Sequence, residues 1–216
     1  MLRRVERGAQ RSSTRSRVAG ERGQAGHRLQ PGDAVLVVDP QNDFCPGGSL
    51  GVADADAILP IVNAWMAAAE EAGVPVLVTR DWHPPHTTHF VERGGVWPPH
   101  CVQGTPGAEF HPALRVPDNA LIVSKGMGEQ EDAYSGFQAR DERGVLLDRL
   151  LDERGVHHVY LMGLATDYCV RASALDAVRS GLQVTVVRDG VRAVNLRPTD
   201  GERAMQEMRA AGVEIV

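Results

Sequence analysis

Residues 158–181 read HVYLMGLATDYCVRASALDAVRSG. The first six, 158–163, form a short apolar run ending in glycine, the mark of a strand buried on both faces. Residues 166–181 read as a helix with Thr166 or Asp167 at its N-cap and Gly181 closing it. Strand, tight turn, helix: this is half of a βαβ unit, and the rest of the chain supplies more of them. AVLVVD (34–39), VPVLVTR (74–80), ALIVSK (120–125), LQVTVV (182–187) and VEIV (213–216) are further strand-like runs. Between them, 54–73, 144–155 and 198–212 carry helical patterning. In 54–73 the apolar positions Ile58, Ile61, Val62, Trp65, Met66 and Ala69 share one face, Gly73 ends the run, and Pro60 is tolerated if it falls in the first turn. Alternation of this kind predicts an α/β fold, a three-layer α/β/α sandwich around a mainly parallel six-stranded sheet.

The segment 81–119 has no clear element of its own. Loops of that length in compact domains usually carry function.

Composition narrows the function classes. The chain has 216 residues, 43% of them hydrophobic, enough for one domain with a sizeable core. Residues 1–30 hold eight Arg and two Glu, no aromatic, and no apolar run longer than two. They are expected to form a disordered Arg-rich tail, with 31–216 as the folded domain. A transit peptide shares that composition; a plain solvated tail or a mis-assigned start codon is the reading adopted. The whole chain carries 23 basic and 28 acidic side chains. Without the tail, 15 basic face 26 acidic, a balance near −11. An acidic body argues against a nucleic-acid groove. No stretch approaches the roughly 20 apolar residues a membrane span needs. Three cysteines do not make a disulfide framework, so a cytoplasmic protein is expected.

In open parallel sheets ligands bind beyond the carboxyl ends of the strands. Asp39 ends the first strand, Asp81 and His83 follow the second, Lys125 ends the third, and Cys169 comes just after the fourth. Four strands thus deliver titratable groups to one edge, for which a bland core has no use. Cysteine is by default a small buried hydrophobe, and Cys45 and Cys101 keep that reading. Cys169 stands at a helix start, where the dipole is expected to lower its pKa and favour the thiolate. Asp39 is a base or a hydrogen-bonded strand-end cap, and Lys125 is a cation that could hold it ionised or stabilise negative charge during reaction. Each alone could be part of a structural ion pair. Together they read as nucleophile, base and electrostatic partner.

Residues 81–90, DWHPPHTTHF, add an aspartate and three histidines, with two prolines that preclude a regular helix or strand. Asp81 and His83, two apart in extended chain, point the same way and offer a two-ligand edge for Zn, Fe(II) or Mn(II). His100, in WPPHCVQGTPG, is a further candidate on the same long loop.

Taken jointly, VVDPQNDFCPGGSL, TRDWHP, GGVWPPHCVQGTPGAEFHP, SKG, AYSGF and GLATDYCVRASALDA resemble the nicotinamidases (pyrazinamidases) of the isochorismatase-like cysteine hydrolase superfamily. The resemblance covers nearly all of 34–216. It implies a triad of Asp39, Lys125 and Cys169, and one divalent metal, zinc with Fe(II) or Mn(II) as alternatives, on Asp81, His83 and His100. His89 matches the mycobacterial-type members, where that position also coordinates metal; His86 matches no ligand. A cis peptide between Leu164 and Ala165 is implied, aiming the backbone N–H groups of Ala165 and Cys169 at an oxyanion. Phe44, Trp97 and Tyr134 match an aromatic substrate pocket. The implied reaction is hydrolysis of nicotinamide to nicotinate and ammonia in NAD salvage, with pyrazinamide as a second substrate. The rivals are a related hydrolase acting on another amide or on isochorismate, and a non-enzymatic binding module. The Asp81-x-His83…His100 set argues against the first rival, and the intact triad against the second.

Overall fold

The computed structural model describes residues 28–132 and 134–216. Six strands, β1 (Asp33–Val38), β2 (Val76–Asp81), β3 (Leu121–Lys125), β4 (His158–Leu164), β5 (Gln183–Arg192) and β6 (Glu214–Ile215), form one sheet in the order β3-β2-β1-β4-β5-β6. Every adjacent pair is parallel, so "mainly parallel" becomes wholly parallel.

β1 lies at the centre, buried along its whole length. Its alternate residues feed two different cores, as the two-residue strand period requires. Ala34, Leu36 and Val38 pack with Leu147, Leu150, Ala174, Ala177, Met205 and Met208, from α2 (Leu147–Asp152), α3 (Arg171–Arg179) and α4 (Asp200–Ala210). Val35 and Val37 pack on the opposite face with Val62, Met66 and Ala69 of α1 (Leu59–Ala72). These are the three expected layers.

α1 shows how local signals set an element. Pro60 falls in its first turn, where proline costs no hydrogen bond. Gly73 ends it in the left-handed conformation (φ 69°), and its N–H returns to the carbonyls of Ala69 and Glu70. Leu59, Val62 and Met66 are buried, each worth roughly 1.5–3 kcal/mol.

Two sequence expectations shift. Of the expected tail 1–30, residues 1–27 lie outside the described residues, but at its inner end Leu29 is buried in the α1-side core. The helix expected from Thr166 begins as one π-helical turn, Thr166–Val170, before α3. Its N-cap is Ala165, with no side-chain cap; Asp167 instead accepts the backbone N–H groups of Val194 (2.9 Å) and Asn195 (2.9 Å).

Strand order reverses between β1 and β4, and crevices at such switch points are where open α/β sheets bind ligands. Val38 pairs with Gly163 at that seam. Gly163 has φ 120°, and a Cβ there would come within 2.0 Å of Val38 O, so only glycine lets the two strands close up.

Candidate active site and metal centre

Asp39 is the first residue past β1, with no solvent exposure and φ 48°. Thr79 of β2 holds it: the Thr79 hydroxyl donates to Oδ1 at 2.6 Å, and the Asp39 N–H reaches Thr79 O at 3.3 Å. Lys125 stands opposite Asp81 in the β2–β3 register. Its ammonium lies 2.8 Å from Asp39 Oδ2, hydrogen-bonds Asp81 Oδ1, and sits 3.5 Å from Cys169 Sγ. One buried cation thus touches two carboxylates and the thiol.

Burial pushes the Lys125 pKa down, but Asp39 and Asp81 more than offset this and hold it well above its ordinary value. The ammonium is therefore charged. Burial raises the Asp39 carboxyl, against the opposing pull of Lys125. A carboxylate so raised is a better proton acceptor near neutrality. Burial also raises the Cys169 thiol well above its ordinary value, again against Lys125, with Asp39 and Asp81 adding to the rise. This overturns the expectation that the helix start lowers the Cys169 pKa: removal from water outweighs a dipole felt at a π-helical turn. The resting group is a thiol, and its reaction needs a base beside it.

Asp81, His83, His89 and His100 gather next to this cluster. Candidate ligand atoms of the three histidines all lie within 4.8 Å of one another. Asp81 Oδ2 is 3.7 Å from His83 Nε2 and 3.9 Å from His100 Nε2. Ligand atoms sharing one ion at bonds of about 2.1 Å stand roughly 3–4 Å apart. Each imidazole has its Nδ1 occupied: His83 by Gly126 O (3.0 Å), His100 by Pro98 O (2.8 Å), His89 by Asp132 Oδ1 (2.6 Å). Donating N–H from Nδ1 leaves Nε2 as the bare lone pair, the tautomer a metal needs. His83 Nε2 is buried with no hydrogen-bond partner, a costly orphan that a cation would satisfy. Burial lowers the His100 pKa to about 4 and, with His83 adding, that of His89 also falls, which keeps both rings neutral and able to ligate. Burial alone would raise Asp81, but Lys125 and then His83 bring it below the usual carboxylate range. Three imidazoles and one carboxylate oxygen fit a divalent transition metal. His86 is exposed and contributes nothing to the cluster.

Two loops carry these ligands, and their backbones are joined. His83 N donates to Cys101 O (3.0 Å), and Gln103 N donates to His83 O (2.8 Å). Asp43 Oδ2 accepts the Cys101 N–H at 2.7 Å, fixing the chain just after His100. Gln41, fully buried, clamps Asp81: its amide donates to Asp81 O (2.7 Å) and Ala108 O (2.8 Å) and accepts from Asp81 N (2.8 Å). At Gly126 a Cβ would come within 2.4 Å of the His83 ring, so that ring sits where only glycine permits.

Members of both clusters line one pocket of about 480 Å³, open mouth included, while Asp39, Lys125 and His83 lie buried behind its wall. Asp81, His89 and His100 form one part of its wall, Ala165 and Cys169 another. Phe44, Trp97 and Tyr134 supply aromatic wall as the resemblance implied, with Trp97 Nε1 donating to Tyr134 Oη at 2.8 Å. Tyr168, Leu50 and Val194 also line it and were not singled out from sequence. Tyr168 could have been, as the aromatic directly before the cysteine; Leu50 and Val194 carry no such signal. The Leu164–Ala165 peptide is cis.

Comparison with known proteins gives the same picture. Residues 33–216 match the isochorismatase domain. The Escherichia coli nicotinamidase is 37% identical over 201 residues, 86% of this chain and 94% of that protein. The Mycobacterium tuberculosis nicotinamidase/pyrazinamidase is 42% identical over 186 residues, 85% of this chain and 97% of that protein. Among solved structures, the Pyrococcus horikoshii pyrazinamidase in complex with zinc superposes with a TM-score of 0.80 at 47% identity, covering 86% of this chain and 99% of that one. The chain belongs to the isochorismatase family, alongside its nicotinamidase and pyrazinamidase members.

Proposed function

We propose that residues 31–216 form a metal-dependent cysteine amidohydrolase that converts nicotinamide to nicotinate and ammonia in NAD salvage and also deamidates pyrazinamide. The observation that carries this reading is the shared pocket, whose wall holds the Cys169 thiol, backed by the buried Lys125 and Asp39, together with Asp81, His89 and His100 of the histidine-rich cation site. The names of the similar proteins support the substrate.

Asp39 takes the Cys169 proton as sulfur attacks the carboxamide carbon. The backbone N–H groups of Ala165 and Cys169 receive the developing oxyanion, at roughly 3–4 kcal/mol per donor. Asp39 returns the proton to the departing nitrogen, releasing ammonia and leaving a thioester. Asp39 then accepts a proton from water as it attacks the thioester, and gives one back to sulfur as nicotinate leaves. Lys125 keeps its charge throughout and balances the negative charge that moves between Asp39 and sulfur, beside the fixed charge of Asp81. Phe44, Trp97 and Tyr134 hold the ring. A zinc ion on Asp81, His83, His100 and His89 would supply a Lewis-acid partner for the pyridine nitrogen, with Fe(II) or Mn(II) chemically suited to the same donors. The cytoplasm is the proposed compartment, in keeping with three cysteines that are all free. Among the described residues no helix is long and apolar enough to cross a membrane.

The test is ammonia release from nicotinamide, pyrazinamide and a set of aliphatic amides. The expected result is turnover of the two ring carboxamides and little of the others. Preference for an aliphatic amide would overturn the substrate, and no release from any amide would overturn the enzyme reading.

A further inference from the structure

We propose that Asp132, a surface residue on the loop after β3, is a positioning residue that sets the tautomer and aim of His89 and so recruits it as a fourth protein ligand to the metal. The proposal rests on the metal reading above.

The three histidines are not held alike. His83 and His100 turn Nδ1 to backbone carbonyls, Gly126 O and Pro98 O, which no side-chain replacement removes. His89 alone turns Nδ1 to a carboxylate, Asp132 Oδ1, at 2.6 Å. The His89 side chain is 5% exposed and that of Asp132 64% exposed, so the pair runs from the buried cluster to solvent. An ionised acceptor binds the Nδ1 proton more tightly than a carbonyl does and raises the donor strength of Nε2.

The loop is built to bring Asp132 there. Glu129 O accepts from Thr88 N (2.8 Å), Thr88 Oγ1 (3.2 Å) and Thr87 Oγ1 (3.2 Å), tying the loop to the chain just before His89. Glu131 Oε2 accepts from Met127 N (3.0 Å) and Gly128 N (3.2 Å), folding the loop back on itself. One short segment, 126–132, thus supplies the Nδ1 acceptor for both His83 and His89. The contact joins a neutral imidazole to a carboxylate that is itself mostly exposed, so it is expected to matter for the ion more than for the fold.

The test is zinc affinity of the full chain, stripped and titrated in competition with a chromophoric chelator. Asp132→Ala and Asp132→Asn should each bind zinc roughly tenfold or more weakly. His89→Ala should lose at least as much, and His89→Ala with Asp132→Ala should be no weaker than His89→Ala alone. If Asp132→Ala stays within about twofold of the parent while His89→Ala loses affinity, the positioning role is wrong and the fourth ligand stands. If His89→Ala itself stays within about twofold, the fourth-ligand reading fails and takes the proposal with it. A further tenfold loss in the double variant would make Asp132 a through-space charge, overturning its action through His89. A matching loss of thermal stability in metal-free Asp132→Ala would reassign it to holding the loop. Because the readout is zinc binding, a failure of the amidase reading leaves the result interpretable.

Discussion

The Lys125 ammonium sits 2.8 Å from Oδ2 of Asp39, with both side chains shut off from solvent. The same ammonium also contacts Asp81, so one cation stands between two buried carboxylates. Removing one member of such a group leaves the others uncompensated, at about 3–5 kcal/mol. Lys125→Met in the metal-free protein should therefore lower the free energy of unfolding by about that amount in urea titrations. A loss under about 1 kcal/mol would show that another cation neutralises the pair.

Cys169→Ala should fold and bind zinc as the parent does, because the thiol is small and is not one of the four candidate ligands. Its ammonia release should fall below about 1% of the parent, since removal of a covalent nucleophile normally costs far more than a hundredfold. Residual activity above that level would sink the nucleophile assignment.

Chelation should weaken nicotinamide turnover, and zinc should restore it. Benzamide has the same shape without the ring nitrogen, so it tests what the cation holds. It should turn over much more slowly than nicotinamide in the zinc-loaded protein, and chelation should change its rate little. Equal rates for the two amides would remove the pinning role.

A pH effect is expected on stability away from the site. His158 Nε2 meets Thr185 Oγ1 at 2.9 Å, and its Nδ1 lies 3.4 Å from Asp33 Oδ1. Burial holds its pKa below the ordinary 6.5, against the upward pull of Asp33 and Glu214. As pH falls, the unfolded chain takes the proton first, so this contribution is present above 6.5 and drains away below it. Urea midpoints measured from pH 7 to pH 5 should fall less for His158→Gln than for the parent. Parallel slopes would mean that His158 is not the group responsible.

What the sequence revealed follows from where chemistry meets periodicity. Asp39 and Lys125 stand out because each is polar at the end of an apolar run, and Cys169 because it opens the helix that follows one; a parallel sheet brings those ends together. Asp81 and His83 stand out by their spacing. Gln41 does not, because in PQND it reads as an ordinary loop residue. Its three hydrogen bonds exist only once segments 40 and 67 positions away lie beside it. Thr79 is hidden for the opposite reason, looking like any β-branched strand residue until Asp39 arrives across the sheet. The Cys169 pKa was misjudged because a helix start is visible in sequence and the depth of burial is not. Asp132 lay in a run of polar loop residues with nothing to separate it from Glu131.

The Gly163–Val38 contact has a consequence for the order in which the molecule acquires its chemistry. During synthesis the base, the lysine and all four candidate ligands emerge before the thiol at position 169. β1 must then wait for a partner 125 positions later, His158 opposite Asp33, before its second edge is covered. Until that pairing forms, the nascent chain holds an acid, a cation and a set of imidazoles but lacks the Cys169 thiol assigned as their nucleophile.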